Sequence, residues 1–405
     1  MSGVSCCCAS NCEESQTKNG KRRVAILGST GSVGTQTIDL IEREPENYHV
    51  VALTARRNVK LLAEQARKLR PDFVAIADES KLEELKEALA GLDIEIGAGA
   101  DAVVEAAERD SDWVMAAIVG AAGLPSTIAA AKRGAKLAFA NKETLVCAGP
   151  LMMELVAKHG CTLLPVDSEH NAIYQVFDAE RRDGISRLII TASGGPFRSY
   201  SREQMAVVTP EQAGKHPVWN MGAKISIDSA TLMNKTLEVI EAAYLFQMPS
   251  DKIDVLVHPQ SVIHSMVEYK DGSTLAQLGS PDMRIPIGYC LAWPARMTTP
   301  AAKLDLAKIS QLTFEVPDPV RFPALRLGRE ALAKGGTAPA IMNAANEVAV
   351  QAFLDEKIGF LDIEKVIDAT LNAGLDGALT DLDVLAKTDK AARDVAQNKV
   401  TALVA

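Results

Sequence analysis

The fold is decided near the start of the chain by the stretch RVAILGSTGSVG at residues 23–34. Its first five residues form an apolar, partly β-branched run that predicts a buried strand of a parallel sheet. Gly28, Gly31 and Gly34 follow, and a helical pattern begins after them. A glycine turn between a strand and a helix lets a pyrophosphate reach backbone amides at the positive end of the helix dipole. The stretch therefore predicts dinucleotide binding, with a tight structural turn as the alternative.

Strand and helix keep alternating downstream of this turn. A polar helix is expected at residues 59–69, and further strand-like runs lie at 49–53, 73–76, 113–119, 137–139 and 162–165. This alternation predicts an α/β domain built on a Rossmann-like, doubly wound parallel sheet. We place this nucleotide-binding domain at residues 21–167.

The end of the second predicted strand distinguishes the two nicotinamide cofactors. NAD sites usually place Asp or Glu there, to hold the ribose 2′-hydroxyl. Arg56 and Arg57 stand there instead. Because two guanidinium groups suit a 2′-phosphate, we expect NADPH; the alternative is a pair of solvated surface arginines.

The chain changes character after about residue 167. A strand is expected at 186–191, a largely helical segment at 221–243, and two or three longer strands at 253–278. We expect the strands at 253–278 to be antiparallel and to serve a dimer interface. The further predicted units are an α+β catalytic domain at 168–292, a linker with five prolines at 293–323 and a C-terminal α-helical bundle at 324–405.

The composition is that of an ordinary globular protein. The 405 residues are 47% hydrophobic, and 43 basic against 52 acidic side chains leave a formal net charge of −9. This acidic balance argues against nucleic acid or an anionic membrane surface as the main partner. No run approaches the roughly 18 apolar residues that a membrane span needs, so we expect no membrane association.

The seven cysteines do not suggest a disulfide framework. Cys147, Cys161 and Cys290 stand singly in apolar surroundings, as buried core thiols do. The other four crowd the first dozen residues: Cys6, Cys7, Cys8 and Cys12. We expect residues 1–20 to be a flexible Cys-rich tail, with metal binding as the alternative. Because this tail lacks an apolar leader core and the basic residues of a transit peptide, we expect a cytoplasmic protein.

Two carboxylates follow the last strand of the predicted sheet, in the stretch PVDSEHN at residues 165–171. In an extended chain Asp167 and Glu169 point the same way, at the carboxyl edge where ligands lie in such sheets. Adjacent carboxylates are costly without a cation or a shared proton between them. A hard divalent ion such as Mg²⁺ or Mn²⁺ is therefore expected, with ordinary surface polarity as the alternative.

A second polar segment, SIDSATLMNKTLE, supplies complementary groups. With Asp228 or Ser229 as the N-cap, Asn234 and Glu238 share a helix face, and Lys235 lies one turn from Glu238. An amide, an ammonium and a carboxylate on one face suit a phosphorylated substrate beside a metal. An exposed pairing of residues four apart fits the segment equally well.

Two loops complete the candidates. The stretch SGGPF at residues 193–197 follows a strand and is typical of a phosphate-receiving turn. The stretch KHPVWNMG places His216 and Trp219 outside regular structure, where Trp219 belongs either to the core or to a lid over a substrate. His258 and His264 lie in strand-like runs, and we interpret them as structural or interface residues.

Together these segments resemble the 1-deoxy-D-xylulose 5-phosphate reductoisomerase family from about Arg23 to the C-terminus. The motifs that carry the resemblance are GSTGSVG at 28–34, AAIVGAAGL at 116–124, ANKETLV at 140–146, LPVDSEHNAIYQ at 164–175, SGGPF at 193–197, KISIDSATLMNKTLE at 224–238, VHPQSVIHSMVEYKDGS at 257–273, GSPDMRIPI at 279–287 and NAANEVAV at 343–350. So many ordered segments make a chance match very improbable.

The resemblance implies a V-shaped subunit, a homodimer and a small sugar phosphate as substrate. The implied reaction is the NADPH-dependent conversion of 1-deoxy-D-xylulose 5-phosphate to 2-C-methyl-D-erythritol 4-phosphate in the non-mevalonate isoprenoid pathway. A divalent cation, Mg²⁺ or Mn²⁺ with Co²⁺ as a third alternative, would polarise the substrate ketone. Retro-aldol cleavage and re-addition would then precede hydride transfer.

The resemblance also implies a role for each matching residue. The metal would be held by Asp167, Glu169 and Glu238. The substrate phosphate would contact Ser193, Ser229, Asn234 and Lys235. The rest of the substrate would contact Lys142, Ser168, Glu169, His216, Trp219 and Glu238. The cofactor would contact Thr30, Gly31, Ser32, Val33, Arg56, Arg57, Asn58, Asn141, Glu143 and Gly222. The catalytic residues would be Lys142, Glu169, His216 and Glu238.

Within this set, Glu169 and Lys142 would transfer protons. The alternative for Lys142 is a surface ion pair with Glu143.

The sequence departs from the family's pattern in a few places. Val218 replaces the asparagine that usually follows His-Pro, and Asn220 and Ala223 also vary the predicted flap. Thr144 and Tyr174 stand where Ser and Phe are common. None of these positions is an assigned metal or phosphate contact. The sequence does not determine how Val218 affects the movement of the flap.

Two other functions fit part of the pattern. A reductase of the semialdehyde dehydrogenase type needs a thioester-forming cysteine beside a histidine, and Cys147 is the candidate near the end of the nucleotide-binding domain. A regulator that binds NADPH without turnover would not need Asp167, Glu169 and Glu238 together.

Overall fold

The structure, a computed structural model, describes residues 20–219 and 221–404. The predictions for the cysteines of the N-terminal tail and for Asn220 lie outside the described residues. Within the described ranges, no helix is both long enough and apolar enough to cross a membrane.

The first part of the chain builds a seven-stranded parallel sheet in the order β4-β3-β2-β1-β5-β6-β7. Its strands are β1 (Arg22–Leu27), β2 (Tyr48–Ala55), β3 (Phe73–Ile76), β4 (Glu95–Ala98), β5 (Trp113–Ala116), β6 (Lys136–Phe139) and β7 (Thr162–Pro165). Its helices are α1 (Ser32–Arg43), α2 (Val59–Leu69), α3 (Leu82–Ala88), α4 (Gly99–Glu108), α5 (Leu124–Lys132) and α6 (Lys142–His159). The predicted Rossmann-like fold is confirmed. The strand order reverses between β1 and β5, which opens a crevice beside the glycine turn.

The burial of strand β1 on both faces of the sheet accounts for the short, continuous apolar runs in this half of the sequence. Val24 and Ile26 pack into the core on one face of the sheet, and Ala25 and Leu27 pack into the core on the other. All four side chains are fully buried. Because both faces of the sheet are covered, the strand needs apolar residues at consecutive positions rather than at alternate ones.

A second, four-stranded sheet follows in the order β11-β10-β8-β9. Its strands are β8 (Ile185–Ala192), β9 (Ile253–Val257), β10 (Ile263–Tyr269) and β11 (Thr274–Leu278). The helices of this part are α7 (Ser168–Val176), α8 (Arg202–Met205), α9 (Pro210–Ala213), α10 (Ala223–Ala230), α11 (Met233–Leu245), α12 (Arg284–Ala292) and α13 (Leu306–Ile309).

The antiparallel pairing predicted within residues 253–278 is present between β10 and β11, and β8, for which no direction was predicted, adds one parallel pair to the sheet. Strand β10 runs antiparallel to both β8 and β11, but β9 runs parallel to β8. Helices and loops over residues 193–252 separate β8 from β9. Such a long connection crosses over the sheet and returns in the same direction, which a hairpin cannot do.

The C-terminal helices confirm the predicted bundle. They are α14 (Ala324–Lys334), α15 (Ala338–Leu354), α16 (Asp362–Leu371) and α17 (Leu382–Val404). This bundle shares one hydrophobic core with the second sheet and α11, since Val350 of α15 and Leu237 of α11 belong to the same buried cluster. The C-terminal helices therefore pack directly behind the helix that carries Glu238.

Helix α12 lies apart from the sheet that precedes it in sequence. Its residues Ile287, Cys290 and Leu291 are buried in the core of the first sheet, next to Ile38 of α1. The backbone carbonyl of Cys290 accepts a hydrogen bond from the indole of Trp113 at 3.0 Å. Helix α12 thus packs against the nucleotide-binding half of the chain and connects the second half to it.

Candidate active site

The glycine turn is closed so tightly that two of its positions require glycine. Gly28 has φ +87°, and a Cβ there would lie 2.8 Å from the carbonyl oxygen of Ala117. A Cβ on Gly34 would lie 2.3 Å from the carbonyl oxygen of Gly28. Gly31 is the N-cap of α1 and places no side chain over the first amides of that helix. The turn therefore brings backbone to the crevice without side-chain cover, as a pyrophosphate site requires.

The two arginines follow β2, at the same edge of the sheet as the glycine turn. Arg56 and Arg57 are both exposed, and Nε of Arg57 lies 2.6 Å from Oδ2 of Asp78. Asn58 also has a structural role that was not predicted from the sequence: its Oδ1 accepts the Leu61 amide at 3.1 Å and caps α2.

Asn141 likewise holds loops together beside the crevice. Its Nδ2 donates to the carbonyl oxygens of Ile118 at 2.6 Å and Gly120 at 2.9 Å. Its Oδ1 accepts the Thr144 amide at 3.1 Å and caps α6. Asn141 therefore fixes the loop after β5 against the start of α6, where Lys142 and Glu143 follow.

Three carboxylates converge at the carboxyl end of β7. One ligand oxygen each from Asp167, Glu169 and Glu238 lies within 4.8 Å of the others. The first two converge for a different reason from the one predicted, because α7 begins at Ser168 and the chain is not extended there. Asp167 is the N-cap of α7, and its Oδ1 accepts the Glu169 amide at 3.2 Å. Glu238 reaches the cluster from α11.

Two buried lysines lie among these carboxylates. Nζ of Lys142 is 2.6 Å from Oδ2 of Asp167 and 3.4 Å from Oε1 of Glu238. Nζ of Lys235 is 2.6 Å from Oε1 of Glu169 and 2.8 Å from Oε2 of Glu238. The alternative of a surface pair between Lys142 and Glu143 is wrong, because Lys142 is buried and turned towards the carboxylates.

The charges in this cluster shift one another's pKa values. Burial lowers the pKa of Lys142, but the carboxylates of Asp167 and Glu238 raise it more, well above its usual 10.5. Burial raises the pKa of Glu238 to about 7, and the negative charges of Glu169 and Asp167 add to this effect while Lys235 opposes it. Crowded oxygen ligands of this kind fit a hard divalent cation, which relieves their repulsion.

A buried pair that was not predicted from the sequence, His170 and Glu241, lies behind the carboxylates. Nδ1 of His170 lies 3.1 Å from Oε2 of Glu241, and its Nε2–H donates to the backbone carbonyl of Glu238 at 2.9 Å. Burial lowers the pKa of His170, but Glu241 raises it more, to about 9. A sequence pattern could have predicted this pair. His170 follows Asp167 by three residues and Glu241 follows Glu238 by three, a spacing that places each pair on one helix face.

The turn after β8 packs onto the segment around Ser229. Gly194 and Gly195 have φ +84° and +67°. A Cβ on Gly195 would lie 2.8 Å from the carbonyl oxygen of Ser229. The Gly195 amide donates to Oγ of Ser193 at 3.2 Å. The turn that begins with Ser193, a predicted phosphate contact, thus packs against the backbone of Ser229, another predicted phosphate contact.

The polar segment before Glu238 forms two helices rather than one. The predicted N-cap at Asp228 or Ser229 is wrong, because both residues lie inside α10 and α11 begins after Leu232, which has φ +61°. The shared face of Asn234 and Glu238 is present, with Nδ2 of Asn234 donating to Oε1 of Glu238 at 2.5 Å.

His216 connects the predicted flap to the turn at Ser193. Its Nδ1 accepts the amides of Val218 at 3.2 Å and Trp219 at 2.8 Å, and its Nε2 lies 2.8 Å from Oγ of Ser193. Burial lowers the pKa of His216 to about 4, and the charge of Lys235 contributes. Since Val218 contributes its backbone amide, the departure from asparagine leaves this contact intact.

The three described cysteines are buried free thiols, as predicted. Burial raises the pKa of Cys147 far above its ordinary value, with Glu347 and Glu143 adding to the effect. A thiol held neutral in this way is a poor nucleophile. The burial of Cys147 therefore argues against thioester chemistry at this residue.

Comparison with known proteins assigns the chain to one family over most of its length. Family models match residues 24–149 (1-deoxy-D-xylulose 5-phosphate reductoisomerase), residues 163–246 (1-deoxy-D-xylulose 5-phosphate reductoisomerase C-terminal domain) and residues 278–395 (DXP reductoisomerase C-terminal domain). The 1-deoxy-D-xylulose 5-phosphate reductoisomerase of Rhodospirillum centenum is 64% identical over 384 residues, which are 95% of this chain and 96% of the relative.

Solved structures give the same result. The Zymomonas mobilis enzyme in complex with NADPH superposes with a TM-score of 0.90 at 57% identity, over 94% of this chain and 99% of that one. A DOX-P reductoisomerase in complex with NADPH, fosmidomycin and magnesium gives a TM-score of 0.89 at 42% identity, over 94% and 98% of the two chains.

Proposed function

The chain belongs to the 1-deoxy-D-xylulose 5-phosphate reductoisomerase family, and from this membership we propose how its residues share the chemistry. It converts 1-deoxy-D-xylulose 5-phosphate to 2-C-methyl-D-erythritol 4-phosphate, with NADPH as reductant and a divalent metal ion. The observation that carries the residue assignments is the cluster of Asp167, Glu169 and Glu238 beside two buried lysines. This cluster lies at the carboxyl edge of the sheet that holds the glycine turn.

The carboxylate cluster is the proposed metal site. Asp167, Glu169 and Glu238 would hold Mg²⁺, Mn²⁺ or Co²⁺, and a bound ion supplies Lewis-acid polarisation of the substrate ketone. Lys142 and Lys235 already face these oxygens. Their ammonium groups would offset much of the negative charge of the carboxylates when the negatively charged substrate binds.

Lys142 and Glu169 are the proposed proton-transfer groups. The raised pKa of Lys142 keeps it an ammonium at neutral pH, so it can donate from Nζ to an oxygen that gains negative charge. Glu169 offers a carboxylate as acceptor, with Ser168 Oγ donating to its Oε2 at 2.6 Å. Together they would allow the carbon–carbon bond to break by retro-aldol cleavage and to re-form on the rearranged skeleton.

Ser193, Ser229, Asn234 and Lys235 are the proposed contacts to the substrate phosphate. Because Nδ1 of His216 accepts two amides, its proton resides on Nε2 and is donated to Ser193 Oγ. The Gly195 amide donates to the same oxygen. The hydroxyl of Ser193 is thereby left to donate its own proton outward, as a phosphate oxygen requires.

The remaining assignments concern NADPH and the flap. NADPH, which supplies the hydride, would contact the glycine turn through Thr30, Gly31, Ser32 and Val33. Its 2′-phosphate would lie near Arg56, Arg57 and Asn58, and its nicotinamide near Asn141, Glu143 and Gly222. Trp219, whose ring centroid lies 6.1 Å from that of His264, would close over the substrate and exclude water.

We further propose a homodimer formed through the second sheet. Strand β11 is the outermost strand of that sheet, and it exposes Leu275 and Leu278. An edge strand with exposed apolar side chains is a site for association with another chain.

The compartment and the unit boundaries are proposals too. Free buried thiols are typical of reducing compartments, which supports a cytoplasmic location. The proposed units are the NADPH domain (21–167), the catalytic domain (168–292), the linker (293–323) and the helical domain (324–405).

The decisive experiment follows NADPH oxidation by absorbance with 1-deoxy-D-xylulose 5-phosphate and Mg²⁺ or Mn²⁺, against EDTA and NADH controls. We expect turnover that needs the metal and prefers NADPH. Glu238→Gln should abolish metal-dependent turnover and leave NADPH binding unchanged, whereas a protein that only senses NADPH would lose nothing. Absence of turnover by a folded, metal-loaded chain would overturn the proposed residue roles.

A further inference from the structure

A buried polar network outside the carboxylate cluster joins three parts of the chain. Nζ of Lys224, at the start of α10, lies 2.8 Å from Oδ2 of Asp228 and 3.3 Å from Oε1 of Glu143 on α6. Nδ2 of Asn346 on α15 donates to the other oxygen of Asp228 at 2.9 Å. The side chains of Glu143, Asp228 and Asn346 are almost completely buried.

Lys224 is the ammonium that both buried carboxylates share, and the charge of Lys142 also acts on Glu143. Glu143 and Asp228 bring two buried carboxylates to one ammonium. Removing one partner of a buried ionic group leaves uncompensated charge, which costs far more than the loss of an exposed pair. Without Lys224, the two carboxylates would repel each other and push α10 away from α6.

The two helices that Lys224 joins carry opposite halves of the proposed reaction site. Helix α6 begins with Lys142, whose Nζ reaches Asp167, and with the proposed cofactor contact Glu143. Helix α10 begins after the proposed cofactor contact Gly222 and carries the proposed phosphate contact Ser229 near its end. The distance between these helices therefore helps to set the distance between the cofactor and the sugar phosphate.

The C-terminal helices hold this arrangement from outside. Asn346 donates to Asp228, and its neighbour Glu347 lies beside the loop after β5, since a Cβ on Gly120 would lie 3.5 Å from its Oε1. Glu347 is itself held by Arg393 of α17 at 2.6 Å. The network thus extends from the bundle to the loop after β5.

We propose that Lys224, braced by Asp228 and Asn346, is a positioning residue that aligns the bound cofactor with the bound sugar phosphate for hydride transfer. The proposal rests on the proposed function. It assigns to the C-terminal bundle a part in catalysis, exerted through α10, although no residue of the bundle is a proposed substrate contact. A misplacement of about 1 Å at a reacting centre can cost roughly 100-fold in rate.

The test compares Lys224→Met and Lys224→Arg with the wild-type chain. For Lys224→Met we expect kcat to fall roughly 10- to 100-fold while KM for the sugar phosphate changes far less. We also expect a larger primary isotope effect with NADPH deuterated at the transferred position, because hydride transfer becomes slower than the other steps. Lys224→Arg, which can span both carboxylates, should recover much of kcat.

A matched control removes a second ion pair between the bundle and the rest of the chain. Arg202 of α8 pairs with Glu364 of α16 and donates to the backbone carbonyl of Val320, and neither partner lies on α6 or α10. Arg202→Met should lower thermal stability and leave kcat and the isotope effect unchanged. If Lys224→Met does not fold, Asp228→Asn replaces it, since the amide keeps the shape and removes the charge.

Two results would overturn the proposal. In the first, the folded Lys224 or Asp228 variant has the kcat and isotope effect of the wild type. In the second, the Lys224 and Arg202 variants lose activity equally, which would make the network merely structural. Wild-type turnover tests the proposed function separately, so an inactive wild-type chain would be told apart from active but unaffected variants.

Discussion

Nζ of Lys142 lies 2.6 Å from Oδ2 of Asp167, although the two residues start different helices after neighbouring strands of the sheet. Asp167 both caps α7 and holds Lys142, and these roles fix the carboxylate before any ligand enters. A metal ion bound at the proposed site would share Asp167 with the ammonium of Lys142. The metal affinity therefore depends on how strongly the ion competes with the two lysine ammonium groups for the oxygens of the three carboxylates.

Substitution Asp167→Asn removes a proposed metal ligand and the main partner of Lys142. We expect metal affinity to fall at least about 100-fold and turnover to fall with it, because both the ion and the ammonium lose their carboxylate. Titration calorimetry with Mn²⁺, and initial rates measured against metal concentration, would check this. Asp251→Asn, at an exposed turn before β9, is the control and should change neither. An unchanged metal affinity in Asp167→Asn would exclude this residue as a ligand.

Arg56 is expected to select NADPH through its 2′-phosphate. We expect Arg56→Ala to raise KM for NADPH roughly tenfold to a hundredfold, since a charged hydrogen bond contributes about 1.5–3 kcal/mol. KM for NADH, which lacks that phosphate, should not change. Arg43→Ala on α1, where Arg43 forms an exposed pair with Asp39, is the control. If both cofactors weaken equally, Arg56 contributes to the fold of the site and not to selectivity.

His216 should remain neutral well below the pH at which an ordinary histidine is protonated. Its pKa is lowered from 6.5 to about 4, chiefly by burial. The unfolded chain therefore takes up the proton first as pH falls. The stabilising contribution of neutral His216 is present above pH 6.5 and is lost as pH falls towards 4.

Nuclear magnetic resonance of histidine-labelled protein would test this directly. At a pH midway between the two values, His216 should show a neutral ring with its proton on Nε2, because Nδ1 accepts two amides. His216→Gln would identify the signal and should reduce the fall in stability over that range. A doubly protonated His216 ring at that pH would contradict the assignment.

The proposed dimer can be broken at β11. Leu275 is 49% exposed on this outermost strand, so Leu275→Glu would place a charge in an apolar interface. We expect sedimentation at assay concentration to give a dimer for the wild type and a monomer for the variant. Val207→Glu, a change at an exposed position between α8 and α9, should remain dimeric. A monomeric wild-type chain would rule out the proposal.

The sequence predicted the elements whose residues are uniformly buried or clearly periodic. The bounds of α2, β3 and β7 match the expected ones, because each is a continuous apolar or amphipathic run. Strand β4 was missed because Glu95–Ala98 is short and only partly buried. The break between α10 and α11 falls at Leu232, and neither glycine nor proline marks the turn.

In the candidate site too, the sequence predicted some features and not others. Motifs predicted which side chains would come together, since Asp167, Glu169 and Glu238 do converge. What sequence alone could not give was their immediate surroundings. The pairing of Lys142 with Asp167 and of Lys224 with Glu143 depends on how separate helices pack, which no local periodicity encodes.

Gly34 offers a test of the turn that decides the fold. A Cβ at this position would lie 2.3 Å from the carbonyl oxygen of Gly28 and 2.6 Å from Cα of Ser29, so α1 would have to move away from β1. Because both neighbours are backbone, Gly34→Ala should cost about 1–3 kcal/mol and should weaken NADPH binding as the turn opens. Gly184→Ala is the matched control, since a Cβ there meets nothing within 4 Å. Thermal unfolding and NADPH fluorescence titration would measure both effects, and unchanged NADPH affinity in a destabilised Gly34→Ala chain would show that the turn serves only the packing of α1.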